Sequence, residues 1–312
     1  MRTNPYILPA IAILLCFCSC KNGNVSDGTD NAGQDTIQAF VLPSIPEIIV
    51  SPEQRTDFLV RHYWDNVNFA DTNCIHHPDI MEQAWADYCN ILNLVPLTTA
   101  QEAIKSTIIR SEANRKVFDY ITALADKYLY DPNSPLRNEE YYIPVLEAAI
   151  ASPLLDETRK IRPQARLELA NKNRVGTQAL DFIYTLASGK QGTLHQIKSD
   201  YTLLFINNPS CEACTQTIEK LQSIPMIHKL ISEKRMVLLS FYPDEDINDW
   251  RTHINEFPKE WIVAYDKALA LKEENSYDLK AIPTLYLLDA DKKVLLKDAP
   301  AQAIEEWLDK NE

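Results

Sequence analysis

The chain has 312 residues, a length that points softly to two domains, and a hydrophobic fraction of 46%, enough for ordinary cores. Its six glycines are few, and its eighteen prolines are many for helices but normal for connections. A formal charge of −13, with no long Lys/Arg cluster to offset it, argues against binding nucleic acid or an anionic lipid surface.

Residues 1–20 read as a lipoprotein signal peptide. Arg2 is a short basic start, and "YILPAIAILLCF" is an apolar run too short to span as an ordinary transmembrane helix. Phe17-Cys18-Ser19-Cys20 resembles a bacterial lipobox, with small Ser19 before the cysteine to be modified; a plain cleaved secretory signal is the alternative. A lipidated Cys20 would become the mature N-terminus and hold the protein on a membrane. Lys21-Asn22-Gly23 sets no Asp after it, so the expected location is the cell envelope, at the periplasmic face of the outer membrane. Export exposes the chain to an oxidising compartment in which cysteine pairs persist. Apart from Cys20, the exported protein keeps Cys74, Cys89, Cys211 and Cys214.

Residues 21–40 are polar and rich in Gly, Asn and Asp, a flexible tether. Residues 41–173 read as an all-α domain of unknown function. It begins with an apolar, proline-punctuated strap over 41–50. Ser51-Pro52-Glu53-Gln54 is a capping box with Pro at the first helical position, and Thr99-Ala100-Gln101-Glu102 reads as a second. Ile80, Met81, Ala84, Trp85, Tyr88, Cys89 and Leu92 fall on one helical face, as do Val117, Ile121, Leu124 and Tyr128. Further helices are expected near 138–151 and 156–171, with Pro144 and Pro163 at starts or kinks. Trp64 and Trp85 read as core. Cys74 sits in a loop beside His76 and His77, which are too close together on a loop to make a convincing metal site. Cys89 reads as a buried thiol, and a Cys74–Cys89 disulfide stays open.

Residues 174–312 change pattern. Short β-prone pieces surround Gly189 and Gly192. Strands are expected over 201–207, 236–242, 260–266 and, as two strands about an Asp-Ala-Asp-Lys turn, over 283–296. Helices are expected over 211–222, 246–256, 267–276 and at the C-terminus. Strands alternating with helices predict an α/β sheet covered on both faces, with its chemistry at the C-terminal ends of strands.

Cys211 and Cys214 fall at such an end, where "LLFINNPSCEAC" turns from strand into helix. A helix N-terminus offers unpaired N–H groups and a partial positive charge that stabilise a thiolate. Two intervening residues set both sulfurs on the first turn. Cys211 at the tip would attack a disulfide, and Cys214, in register with Ile218 and Leu221, would resolve the mixed disulfide. A structural disulfide is the bland alternative. Zinc is disfavoured because no second Cys-x-x-Cys or Cys/His pair has the expected spacing.

With "YDLKAIPTLYLLD" downstream, residues 175–312 resemble the thioredoxin superfamily, and within it the membrane-tethered extracytoplasmic thiol–disulfide oxidoreductases related to peroxiredoxin-like folds. The resemblance implies a central mixed sheet flanked by helices, no metal or organic cofactor, and a cis Ile282–Pro283 bond beside the dithiol, with Ile282 and Pro283 shaping a client groove. Partners would be client proteins carrying disulfides and an upstream thiol donor. The helical half resembles, more weakly, an uncharacterised domain fused ahead of such domains in envelope lipoproteins. Three positions depart from the family pattern: Ser210 replaces a Trp, Ala213 replaces a Pro, and Phe205 stands where thioredoxin has a buried acid. A peroxidase reading fails on motif, since Asn208 occupies the position of the required Thr. Glu212 beside Cys211, and apolar Ile282 before the proline, point to a reductant. The rival reading is a partner-binding lipoprotein that uses the thioredoxin-like domain as a scaffold with a structural disulfide.

Overall fold

The computed structural model describes residues 39–312; the expected signal peptide, Cys20 and the tether up to residue 38 lie outside the described residues. Phe40 packs its ring on Tyr63 and Trp64, at centroid distances of 5.1 and 5.3 Å. The strap that follows lies on the helical half, where Asn66 Nδ2 donates to the carbonyls of Val41 and Leu42 at 3.2 and 3.1 Å.

Six helices follow: α1 (Pro52–His62), α2 (Pro78–Leu92), α3 (Leu97–Ser111), α4 (Arg115–Ala125), α5 (Glu139–Ala151) and α6 (Glu157–Ala170). Ser51 caps α1 as expected, its Oγ accepting the Gln54 N–H at 3.2 Å. The second expected box does not cap anything. Pro96 is the N-cap of α3, three residues ahead of Thr99, which is buried inside the helix. Thr99 and Glu102 instead both accept from the Arg61 guanidinium of α1, at 3.2 and 2.9 Å. Pro144 and Pro163 lie inside α5 and α6 and mark neither start. The carbonyl of Glu140, which loses its partner N–H to Pro144, accepts from Gln101 Nε2 of α3 at 3.0 Å.

The expected stripe of α2 is buried from Met81 to Leu92. Around it Tyr63, Trp64, Phe69, Trp85 and Tyr88 form a ring cluster, with Trp64 and Trp85 5.9 Å apart. Each such ring buries roughly 150–250 Å² and stabilises by about 4–6 kcal/mol before conformational entropy is counted. After α4 the chain widens into a π-helical turn, Asp126–Tyr130.

The second half forms a seven-stranded mixed sheet in the order β2-β1-β5-β4-β3-β6-β7. The strands are β1 (Ile183–Leu186), β2 (Gln191–Thr193), β3 (Tyr201–Ile206), β4 (Met236–Tyr242), β5 (Ile262–Tyr265), β6 (Thr284–Leu288) and β7 (Val294–Lys297). β3, β4 and β5 are parallel, and the remaining pairings are antiparallel. The β1–β2 hairpin turns on Gly189, with φ +84. At Gly192 a Cβ would meet the Tyr184 ring at 2.6 Å, so a larger residue there would have to displace that ring.

Helices α7 (Glu212–Ser223), α8 (Pro225–Ser232), α9 (Ile247–His253), α10 (Ala270–Glu273) and α11 (Ala301–Asn311) complete this half. α8 adds to the expected elements, because Pro225 restarts a helix immediately after α7 ends. The helix expected over 267–276 shrinks to α10, bounded by the left-handed residues Leu269 and Asn275 at φ 56 and 51. The sheet is covered on both faces. Leu203 and Phe205 of β3 face α7, α8 and α11, whereas Leu204 and Ile206 face a core holding Phe182, Leu271 and Tyr277.

The two halves belong to one compact unit, Phe40–Glu312. Ion pairs Arg137–Asp298, Glu139–Lys297 and Glu140–Arg174 join them. Lys172 Nζ donates to the Asn275 carbonyl at 3.0 Å and Asn173 Nδ2 to that of Ser276 at 2.8 Å. Among the described residues, no helix is long and apolar enough to cross a membrane.

Candidate active site

β3 ends at Ile206, and a short loop carries the chain onto α7, whose N-cap residue is Cys211. The loop is built from side-chain bonds. Buried Asn207 donates to the Phe205 carbonyl at 2.9 Å and to Ser240 Oγ of β4 at 2.8 Å. Asn208 Oδ1 accepts the Ser210 N–H at 3.0 Å, and its Nδ2 donates to Asp244 at 3.0 Å. Ser210, which stands in the usual Trp position, donates from Oγ to Asp249 of α9 at 2.7 Å. The strand end, the loop and two neighbouring elements are thereby tied together ahead of the dithiol.

Cys211 is half-buried and Cys214 fully buried, and both are free thiols. The Cys211 thiol donates to the carbonyl of Ile282 at 3.7 Å. The Ile282–Pro283 peptide bond is cis. The backbone of Ile282 thus presents its carbonyl to the Cys211 thiol from the segment that ends in this cis bond. Thr284 is buried, and its Oγ1 donates back to the Ala281 carbonyl at 2.7 Å, closing the turn.

Cys214 lies one turn into α7 and packs among Phe205, Leu221 and Leu285. Burial pushes its thiol up to about 12; the Asn208 N–H, donating to its sulfur at 3.5 Å, opposes this, and the neighbouring Cys211 adds to it. Phe205 contributes a ring, not a base, to this pocket. The Asn208 N–H is the group that sequence reasoning missed. As a backbone group it leaves no signal in residue identity.

Cys74 and Cys89 sit apart from this site. Cys74 lies in a 3₁₀ turn, Thr72–Ile75, and Cys89 in the middle of α2; both are free thiols. Burial raises both, Cys89 to about 12. Among the described residues, no three His, Cys, Asp or Glu side chains converge as metal ligands.

A family described as a domain of unknown function, DUF5106, matches residues 18–173, and a family described as thioredoxin-like matches residues 199–294. No similarity to a curated protein was found. A crystal structure of a thioredoxin-like protein from Bacteroides caccae is 67% identical, with a TM-score of 0.87, and covers 89% of this chain and 100% of its own. The C-terminal domain of an uncharacterized protein from Bacteroides fragilis is 55% identical over 44% of this chain and 98% of its own, with a TM-score of 0.43. The thioredoxin domain of a thiol-disulfide oxidoreductase from Bacteroides vulgatus is 19% identical over 44% of this chain and 97% of its own, with a TM-score of 0.40. The fold, the strand-to-helix placement of the two thiols and the full-length similarity agree: the chain belongs to the thioredoxin-like proteins in which a DUF5106 domain precedes the α/β domain.

Proposed function

We propose that the protein is a thiol–disulfide oxidoreductase of the cell envelope that reduces disulfides in client proteins, anchored by a lipid on Cys20. One observation carries the reading: a half-buried Cys211 sulfur at the start of α7 faces the Ile282 carbonyl, with Cys214 one turn behind it. The Cys211 thiolate attacks one sulfur of a client disulfide. A Cys211–client bond forms, and the other client sulfur leaves as a thiolate that takes up a proton. Cys214 then gives up its proton and attacks the Cys211 sulfur, expelling the second client thiol. The client gains two electrons, and Cys211 and Cys214 end as a disulfide. An upstream thiol donor returns the pair to the dithiol. No metal or organic cofactor enters these steps.

The reductant assignment rests on Glu212 in the first turn of α7, which sets negative charge beside Cys211, and on apolar Ile282 before the proline. A potential nearer to roughly −270 mV than to roughly −120 mV is expected. A glutathione titration measures it, and a midpoint at the oxidising end removes the assignment while leaving the exchange chemistry intact.

The trap variant Cys214→Ser tests the reaction itself. It should accumulate disulfide-linked adducts through Cys211 on non-reducing gels, dispersed by reductant, while Cys211→Ser shows none. If the trap catches nothing and Cys211–Cys214 persists through reductant, the partner-binding reading wins. Lipid anchoring is tested separately by Cys20→Ala, which should move the protein out of the membrane fraction.

A further inference from the structure

The junction between the halves holds a cavity of about 300 Å³. Strand register places it at the same end of the sheet as the dithiol. Thr284 of β6 pairs with Ile206 at the end of β3, and β7 returns antiparallel so that Lys297 lies opposite Tyr286. The cavity walls include Lys280 and Lys297 through Pro300. Lys280 stands two residues before Ile282, and two residues span at most about 7 Å. The cavity therefore adjoins the segment whose carbonyl faces Cys211.

The opposite wall comes from the helical half. Leu129 and Tyr130, at the end of the π-helical turn, line it together with Tyr142 of α5. The Tyr130 ring lies 4.7 Å from Lys280 Nζ and 4.0 Å from the Arg166 guanidinium, so it is held in place from both halves. Val175 at the rim is 53% exposed.

The charges around the cavity are matched. Arg137 pairs with Asp298, Lys297 with Glu139, Lys280 with Asp278, and Arg174 with Glu140. A charged guest would have to break up a pair or remain unpaired, and both are costly in a half-buried site. Tyr130, Val175 and Pro300 offer accessible apolar surface instead, with Leu129 and Tyr142 packed behind them.

We propose that this cavity is a client subsite that takes one large uncharged side chain, aromatic or long aliphatic, two or three residues from the client's disulfide-bonded cysteine. The proposal rests on the exchange reaction above. It brings the helical half into the client-binding surface, because neither half alone encloses the cavity.

The test uses the reduced protein in excess and short peptides, each with one cysteine joined to thionitrobenzoate. Attack by Cys211 and resolution by Cys214 release one thionitrobenzoate per peptide, read by its absorbance. Phe, Leu, Ala, Glu or Lys is placed two or three residues from the cysteine on either side. The Phe and Leu peptides should react about tenfold faster than the Ala peptide at one of these placements, and the Glu and Lys peptides no faster than Ala. In Val175→Glu, which charges an exposed rim residue, and in Tyr130→Ala, the ratio of the Phe rate to the Ala rate should fall toward one, each variant being its own reference. If release is fast but equal for all peptides, the subsite is overturned and the exchange reaction stands. A preference that survives both variants overturns the location. If no peptide releases thionitrobenzoate, the exchange reaction fails and the subsite fails with it.

Discussion

Among the described residues, each half carries two cysteines, and each pair consists of one half-buried and one buried thiol. In both halves burial pushes the buried thiol up to about 12. Burial and thiol basicity thus do not separate the proposed redox pair from the other. What differs is the backbone. Cys211 sits at the N-cap of a helix, faces the Ile282 carbonyl and has Cys214 a turn behind it, whose sulfur accepts an N–H from the loop. Cys89 lies mid-helix among Met81, Trp85 and Tyr88, and Cys74 lies in a separate turn. The helical half holds its cysteines as small hydrophobes; the α/β half sets its pair where strand β3 hands over to helix α7.

The sharpest way to break this comparison is to remove the thiols one at a time. If Cys211 is the nucleophile, Cys211→Ser should lower reduction of insulin disulfides on the order of 10³-fold or more, the scale seen when enzymes lose a nucleophile. Cys74→Ser and Cys89→Ala should leave the rate within about twofold when assayed well below their unfolding temperatures. A comparable loss from either would show that the helical pair is engaged in catalysis.

Reactivity toward iodoacetamide at pH 8 is the next contrast. Cys211 should be alkylated on the order of 100-fold faster than Cys89, whose thiol is buried and almost wholly protonated at that pH. Mass spectrometry of timed samples gives both rates.

The two buried thiols also differ in what pH can do. Cys214 must ionise to resolve a mixed disulfide, and burial holds it protonated at neutrality. Its thiolate fraction therefore rises about tenfold per pH unit below the pKa. Decay of a preformed Cys211–peptide disulfide should accelerate from pH 7 to 9 without reaching a plateau. A plateau near pH 7 would mean that a base absent from the Phe205 pocket assists after all.

Stability separates the junction from the cores. Lys297, with 9% of its side chain exposed, pairs with Glu139 and donates to the carbonyls of Ala170 and Lys172. Lys297→Met should cost about 3 kcal/mol at pH 7 in urea unfolding, since it strands a half-buried carboxylate. Burial raises the Glu139 carboxyl despite Lys297. A raised carboxyl contributes stability that is present below its unfolded value of about 4.3 and lost as pH rises through the folded value. The deficit of Lys297→Met should therefore shrink on going from pH 7 to 5. The smallest effect is expected at Cys89→Ser, about 1–2 kcal/mol, from a buried hydroxyl without a designed partner.

The sequence was most legible where neighbours in the chain decide the outcome. The Ser51 cap, the buried face of α2, the long strands and the junction holding Cys211 all follow from local periodicity and spacing. The thioredoxin-like half was recognisable by resemblance, through the motifs "LLFINNPSCEAC" and "YDLKAIPTLYLLD". It was least legible where a distant partner takes over. Thr99 and Glu102 have the right spacing for a cap, but Arg61 from another helix claims both. α10 is short because left-handed residues bound it, and none of these is a glycine. At the site, the side chains were foreseeable, but the Asn208 N–H and the Ile282 carbonyl are backbone groups, which any residue could supply. The ion pairs of the junction join residues far apart in sequence, and no local pattern announces them.

Pro144 shows how such a long-range bond can bind two sequence positions to a shared fate. By withholding an N–H, it frees the Glu140 carbonyl for Gln101 on a neighbouring helix. Replacing Pro144 with alanine would restore the missing donor and leave Gln101 sharing the acceptor with it. Shortening Gln101 alone would leave that carbonyl with no donor. In related sequences the two positions should drift together, proline with a long amide and an ordinary helix former with something else. A position pair of this kind is a ready internal check on alignments of a domain that has few other landmarks.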